Sequence, residues 1–247
     1  MGSVEIRFVG SGDAFGSGGR FQTCFAIKSA TDLFLVDCGA SSLVAMRQQG
    51  IEPNDVSKIF ITHLHGDHFG GLPFFLLDAQ FASKRNLPLT IVGPPGLRER
   101  LTQAMEVLFP RSSQAEPVYD LKLLELGPRS PTTIEGVTVT AFPAAHFSGA
   151  PSYSLRIEVN AKVFVYSGDT QWTETLIEAS AGADLFACEC YVFDEDVALH
   201  NSYARIMENL SRLTCKRIIV THMSKDMLSR VSDIELEASE DGKIVVL

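Results

Sequence analysis

The sequence is short of tryptophan, of basic charge and of long apolar runs, and each shortage removes a class of protein. Trp172 is the one tryptophan in 247 residues. No apolar run approaches the roughly 18 residues that cross a bilayer, and the densest, residues 72–77, is interrupted by Pro73. No membrane role is therefore expected. Lys and Arg number 21 against 30 Asp and Glu, a formal net charge of −9. Surfaces that grip nucleic acid over a long footprint are usually basic, so extended nucleic acid is not the expected partner, although a local basic patch stays open. The five cysteines lack finger or ribbon spacing, and only Cys188 and Cys190 are close. On a strand such a pair shares one face. Reduced, mostly buried thiols in a cytoplasmic protein are the expectation. The first ten residues lack a basic stretch followed by an apolar core, so no secretory signal is read there.

The remaining composition is that of a globular protein, 45% apolar and 21% charged. There is no low-complexity tract, charge block, long linker or legible repeat, and residues 1–247 read as a single domain. Strands are predicted over 4–10, 23–29, 32–39, 58–63, 87–93, 118–126, 133–144, 152–160, 161–168, 184–192, 216–222 and 242–247. Helices are predicted over 41–50, 69–85, 94–109, 172–183 and 202–213. Segments 23–29 and 32–39 read as a hairpin, as do 152–160 and 161–168 around Asn160. The fold class is α/β, with two sheets packed together and helices outside.

Six histidines occur, and three of them fall in "HLHGDH", residues 63–68. The segment follows the apolar strand "KIFIT", and Gly66 is expected to permit a tight reversal through positive φ. His63, His65, Asp67 and His68 then converge. Imidazole and carboxylate suit Zn²⁺, Mn²⁺ or Fe. Four donors in six residues exceed one closed tetrahedral site once other residues join, and fit two neighbouring metals better. Other candidates end apolar runs elsewhere: His146 after "VTVTAFPAA", Asp169 after "AKVFVYSG", and His222 after "KRIIVT". Taken singly, His146 is an ordinary loop residue, Asp169 a helix cap and His222 a surface side chain. Their joint placement at strand ends, where layered α/β proteins build sites, points to a centre.

H-x-H-x-D-H followed by His146, Asp169 and His222 resembles the metallo-β-lactamase superfamily. "FVGSGDAFG", "FLVDCG", "IFITHLHGDHFGGLP", "IVGPPGL", "YSGDT" and "ADLFACE" are similar, in order, to the blocks of its ribonuclease Z-like branch. The resemblance covers nearly the whole chain and implies an αβ/βα four-layer sandwich with a dinuclear site. It assigns His63, His65 and His146 to one metal, and Asp67, His68 and His222 to the other, with Asp169 bridging. It implies two divalent ions, zinc first, with manganese or iron as alternatives, and pairing into a homodimer. The superfamily's redox variant carries an acid where His65 stands, so hydrolysis is the expected chemistry. Two divalent cations with few anionic ligands lower the pKa of a shared water toward neutrality, giving hydroxide that attacks the substrate. They also stabilise the charge that develops.

Asp67 is a candidate for orienting the nucleophile through its second oxygen. Asp37 either steers the histidine loop or bonds only to backbone. The branch's proton-donating histidine matches His200 in "HNSYA", with Glu189 of "CECYVF" as its support. The glycine-rich segment 10–20 reads as a flexible loop that could line the pocket, with Arg20 available to meet an anion.

The chain departs from the branch in one respect. Members that process tRNA 3′ ends carry a long arm between the positions matching His146 and Asp169. Here the interval holds a short loop and one hairpin. The expected substrate is therefore a small phosphodiester or a similarly compact molecule, cleaved by a metal-dependent phosphodiesterase. The alternatives are a tRNA 3′ endonuclease without its arm, a lactone or thioester hydrolase, and a non-catalytic metal-binding module.

Overall fold

The structure, a computed structural model, describes residues 2–247; Met1 of the expected 1–247 domain lies outside the described residues. The first half carries β1 (Glu5–Gly10), β2 (Cys24–Lys28), β3 (Leu33–Val36), β4 (Lys58–Phe60), β5 (Leu89–Gly93) and β6 (Leu121–Glu125). The second carries β7 (Thr132–Ile134), β8 (Val137–Pro143), β9 (Tyr153–Val159), β10 (Lys162–Tyr166), β11 (Leu185–Glu189), β12 (Ile218–Thr221), β13 (Glu237–Ala238) and β14 (Ile244–Val246). The helices are α1 (Ser42–Gln48), α2 (Gly66–Phe69), α3 (Leu72–Leu77), α4 (Leu97–Leu108), α5 (Glu174–Ser180), α6 (Tyr203–Asn209) and α7 (Lys225–Ser229).

Two seven-stranded sheets result, in the orders β14-β1-β2-β3-β4-β5-β6 and β13-β12-β11-β10-β9-β8-β7. Pairing is parallel from β3 through β6 and from β10 through β13. Strands buried on both faces need apolar residues at consecutive positions rather than at alternate ones, and "IFI" (59–61) and "LFAC" (185–188) supply them. Phe60, Leu185 and Ala187 face the core between the sheets. Ile59 and Ile61 face a second core under α1, α3 and α4. Phe186, Cys188 and Val220 face a third under α5, α6 and α7. Helix, sheet, sheet and helix make the four layers expected. Phe25 on β2 stitches the sheets, its ring centroid 5.4 Å from Phe164 and 4.8 Å from Tyr166, both on β10.

The hairpins around 29–32 and Asn160 form as expected. The second turns through Asn160 and Ala161, with φ of 52° and 60°, the paired left-handed geometry that matches strand twist. Three differences from the sequence reading have local causes. The strand expected over 58–63 ends at Phe60, because the Thr62 amide donates to Asp37 Oδ1 at 2.8 Å instead of to a neighbouring strand. Segment 69–85 is α3 continued by a wider π turn, Asp78–Ala82, rather than one helix. Gly66 does not reverse the chain with positive φ; it opens α2, and His65 N-terminal to it carries the extended backbone. Helix α7 and strand β13 had no counterpart in the predicted elements.

Candidate metal centre

The carboxyl ends of β3, β4, β8, β10, β11 and β12 meet at one edge of the sandwich, and their following residues carry the polar side chains. His63 leaves β4, and α2 presents Asp67 and His68. His146 follows β8, Asp169 follows β10, and His222 follows β12. All seven residues proposed from sequence as ligands come together. His63, His65 and His146 form one set of donors, and Asp67, His68, Asp169 and His222 a second, each with its ligand atoms within 4.8 Å of one another.

Asp169 stands between the sets. Its Oδ2 lies 3.9 Å from Nε2 of His63 and 3.9 Å from Nε2 of His146. Its Oδ1 lies 3.2 Å from Nε2 of His68 and 3.5 Å from Nε2 of His222. Asp67 Oδ2 lies 3.2 Å from the same two nitrogens. His65 Nδ1 and His146 Nε2 approach to 3.0 Å.

The outward-facing nitrogens show why these atoms are free. Asp37, wholly buried, accepts the Nδ1 proton of His68 at 2.7 Å and the Thr62 hydroxyl proton at 2.8 Å. The Thr62 oxygen lies 3.0 Å from His63 Nδ1 and accepts its proton. His146 Nδ1 donates to the Leu199 carbonyl at 2.9 Å. Each ring is thereby held in the tautomer whose other nitrogen carries a lone pair toward the centre. His63 Nε2, His68 Nε2 and Asp169 Oδ1 are buried and make no hydrogen bond. Buried polar atoms without partners are rare in native proteins. A divalent cation is the partner that a convergent set of imidazoles and carboxylates fits.

Electrostatics follow from the same crowding. Burial pulls His63, His65 and His146 below the usual imidazole range, which favours the neutral ligand form. Burial also pulls on His68 and His222, but Asp169 and Asp67 outweigh it and raise both. Burial pushes the Asp67 and Asp169 carboxyls up, and the neighbouring histidines more than reverse this. The buried thiols of Cys24, Cys38, Cys188 and Cys190 are all pushed up by desolvation, so they stay protonated and out of the chemistry. Cys188 and Cys190 do share one face, in the core under α6 and α7.

His200 borders the second set, its Nδ1 hydrogen-bonded to Glu189 Oε1. Glu189 is fully buried and also accepts the Thr170 amide proton at 2.6 Å. Tyr191 stacks on the His200 ring at 4.6 Å between centroids. Thr62, Tyr191 and the Leu199 carbonyl were not singled out from sequence. Thr62 is adjacent to His63, but a strand threonine carries no distinguishing signal, and neither does a loop tyrosine or a carbonyl. Arg20 is tied back to the chain, its Nη1 donating to the Ser239 carbonyl at 2.8 Å. The loop from Gly10 to Arg20 is likewise not loose. Asp241 accepts from the Ser11 and Phe21 amides at 2.8 Å each. Asp13 accepts from the Ser17 amide at 2.8 Å. Ser11 in turn accepts the His222 amide proton at 3.2 Å, which fixes this loop beside the centre.

The arrangement is shared with known proteins. The fold matches YhfI of Bacillus subtilis, a metallo-β-lactamase fold protein, with a TM-score of 0.78 at 18% identity over 99% of this chain and 100% of that one. It matches the human short-form tRNase Z with a TM-score of 0.76 at 24% identity over 98% of each chain. Ribonuclease Z of Methanothermobacter thermautotrophicus is 27% identical over 274 aligned positions, covering 90% of this chain and 87% of the relative. The chain is a metallo-β-lactamase fold protein of the ribonuclease Z-like branch. Within it, residues 4–240 match the profile of the family described as Anti-Pycsar protein Apyc1, and the chain belongs to that family. It is a metal-dependent hydrolase of phosphodiesterase type, served by divalent metal.

Proposed function

We propose that this chain binds two divalent cations, zinc by preference, and hydrolyses a compact phosphodiester between them. The observation that carries the proposal is Asp169, whose two carboxylate oxygens each face a separate pair of imidazole nitrogens. His63, His65 and His146 would hold one ion, and Asp67, His68 and His222 the other. Such a pair supplies Lewis acidity and an activated water at neutral pH. The protein's own residues do the rest. Asp67 orients the attacking oxygen beside His68 and His222. His200, held by Glu189 and stacked on Tyr191, protonates the leaving oxygen. Asp37 and Thr62 keep the histidine rings turned inward.

The interval from His146 to Asp169 supports a compact substrate. It contains only a loop and the β9–β10 hairpin, closed by Asn160 and Ala161. The alignment with the archaeal relative runs over 274 positions, more than the 247 residues present, so that relative carries stretches with no counterpart here. The second reading, a tRNA 3′ endonuclease, draws support from the relatives named ribonuclease Z. Five unpaired thiols, four of them buried, fit a reducing compartment such as the cytoplasm.

The test is to load the protein with Zn²⁺ or Mn²⁺ and compare turnover of bis-p-nitrophenyl phosphate, a lactone and a pre-tRNA. Cleavage of the phosphodiester without the pre-tRNA is expected. Cleavage of the pre-tRNA at its 3′ end would favour the second reading, and turnover of the lactone alone would overturn both.

A further inference from the structure

Asp241 lies in the turn between β13 and β14 and spends both carboxylate oxygens on the N-terminal loop. Its Oδ1 accepts from the Ser11 amide and from the Ser11 hydroxyl, at 2.8 Å each, and its Oδ2 accepts from the Phe21 amide at 2.8 Å. The Gly12 amide donates to the Phe21 carbonyl at 2.8 Å, so the carboxylate seals the base of a loop whose ends already pair. Arg20 Nη1 reaches the Ser11 hydroxyl at 3.3 Å. Ser11, wholly buried, is thus held at both its amide and its side chain.

The remaining group of Ser11 is its carbonyl, and that group serves the centre. It accepts the His222 amide proton at 3.2 Å and the Thr221 hydroxyl proton at 3.4 Å. His222 carries a φ of 58°. A residue other than glycine keeps such a backbone only where its surroundings over-determine it. Two ties do so here, the bond to Ser11 and the bridge that pairs the next residue, Met223, with Gly12. Release of the loop lets His222 relax toward the common backbone regions, which swings its Nε2 away from Asp67 and Asp169. The tie is also one-sided. His63 is oriented by Thr62, His68 by Asp37 and His146 by the Leu199 carbonyl, and Asp241 bonds to none of these.

We propose that Asp241 is a positioning residue for the second set of donors alone: through Ser11 it holds His222 in its left-handed backbone and so sets how tightly one of the two cations is retained. The proposal rests on the two-cation reading above.

Stepwise Kd values for Zn²⁺ are measured by competition with a chromophoric chelator. His222→Ala marks the step that depends on His222. Asp241→Asn keeps the shape of the side chain but turns one acceptor oxygen into a donor. It should weaken that same step by roughly 10–100-fold, the usual range for a group that supports a ligand, and leave the other within about twofold. Ser11→Ala removes only the hydroxyl contacts and should shift the same step in the same direction by a smaller factor, so the proposal is decided even if Asp241→Asn does not fold. Glu240→Gln, an equal change of charge on the exposed neighbour, should move neither step. Equal weakening of both steps would mean a general loosening of the fold, and unchanged steps would mean that the loop holds without the carboxylate; either result overturns the proposal while the parent's two ions stand. A parent that binds a single ion would overturn the two-cation reading, and this proposal with it.

Discussion

His68 Nδ1 and Asp37 Oδ2 lie 2.7 Å apart in the wholly buried floor of the centre, and that contact decides which imidazole nitrogen faces the other donors. Asp37 holds a φ of 58°, a left-handed backbone that asparagine tolerates better than alanine. Asp37→Asn therefore keeps the turn and removes the anionic acceptor. It should lower the affinity for metal by roughly 10–100-fold, the usual cost of losing such a partner. Competition with a chromophoric chelator measures this, and an unchanged affinity would show that the contact only shapes the loop.

His200→Ala separates proton donation from metal holding. Cleavage of a phosphodiester with an alkoxide leaving group should slow by roughly 10²–10⁴-fold. Bis-p-nitrophenyl phosphate, whose leaving group needs less help, should suffer less. Elemental analysis should find metal content equal to that of the parent. Loss of metal would reassign His200 as a ligand, which its position within 4.8 Å of donor atoms on Asp169 and His222 makes a meaningful outcome.

Gly39 has no room for a side chain. A Cβ there would come within 2.3 Å of the Asp67 carbonyl and 2.7 Å of Gln22 Cβ. Gly39→Ala must push α2 outward, at a cost of roughly 1–3 kcal/mol, and displaces Asp67 and His68 together. Thermal unfolding should show the lost stability, and chelator competition the weakened metal uptake. A variant with the parent's melting temperature and metal affinity would mean that the two segments yield freely.

Acid stability should depend in part on Glu237. Its hydrogen bonds from Arg217 at 2.8 Å, with Lys243 at 2.7 Å, hold its carboxyl down at about 2. A carboxyl lowered in the folded state stabilises above its ordinary pKa, and that contribution is lost as pH falls from about 4.5 toward 2. The carboxylate is 34% exposed, so solvent screening limits the effect to at most about 1 kcal/mol. Glu237→Gln should flatten this part of the stability curve in urea titrations at pH 2 to 5. An unchanged acid limb would remove the pair from the account.

The convergence of the candidate ligands was legible because histidine and aspartate at the ends of apolar runs have few other reasons to recur. The strands were legible because β4, β10, β11 and β12 are apolar at consecutive positions. What the residues did not reveal is how the backbone turns at the centre. Gly66 looked like the reversal, yet the left-handed residues there include Asp37 and His222, with φ of 58° each, and Gly168, with φ of 60°. Aspartate and histidine take that conformation more often than most non-glycine residues, but few of them do, and here it accompanies tertiary contacts such as the bond from the His222 amide to Ser11. Arg20 illustrates the same limit. A lone arginine after a glycine-rich stretch gives no sign that the chain's distant end, at Ser239 and Asp241, holds both the arginine and its loop.

His63, His65, Asp67 and His68 hang from one sheet, whereas His146, Asp169 and His222 hang from the other. Ions held by both groups would act as a clasp across the open rim of the sandwich. Phe25, Phe164 and Tyr166 set the gap that this clasp must span. Repacking deep between the layers would then change cation retention at the rim without touching a single donor.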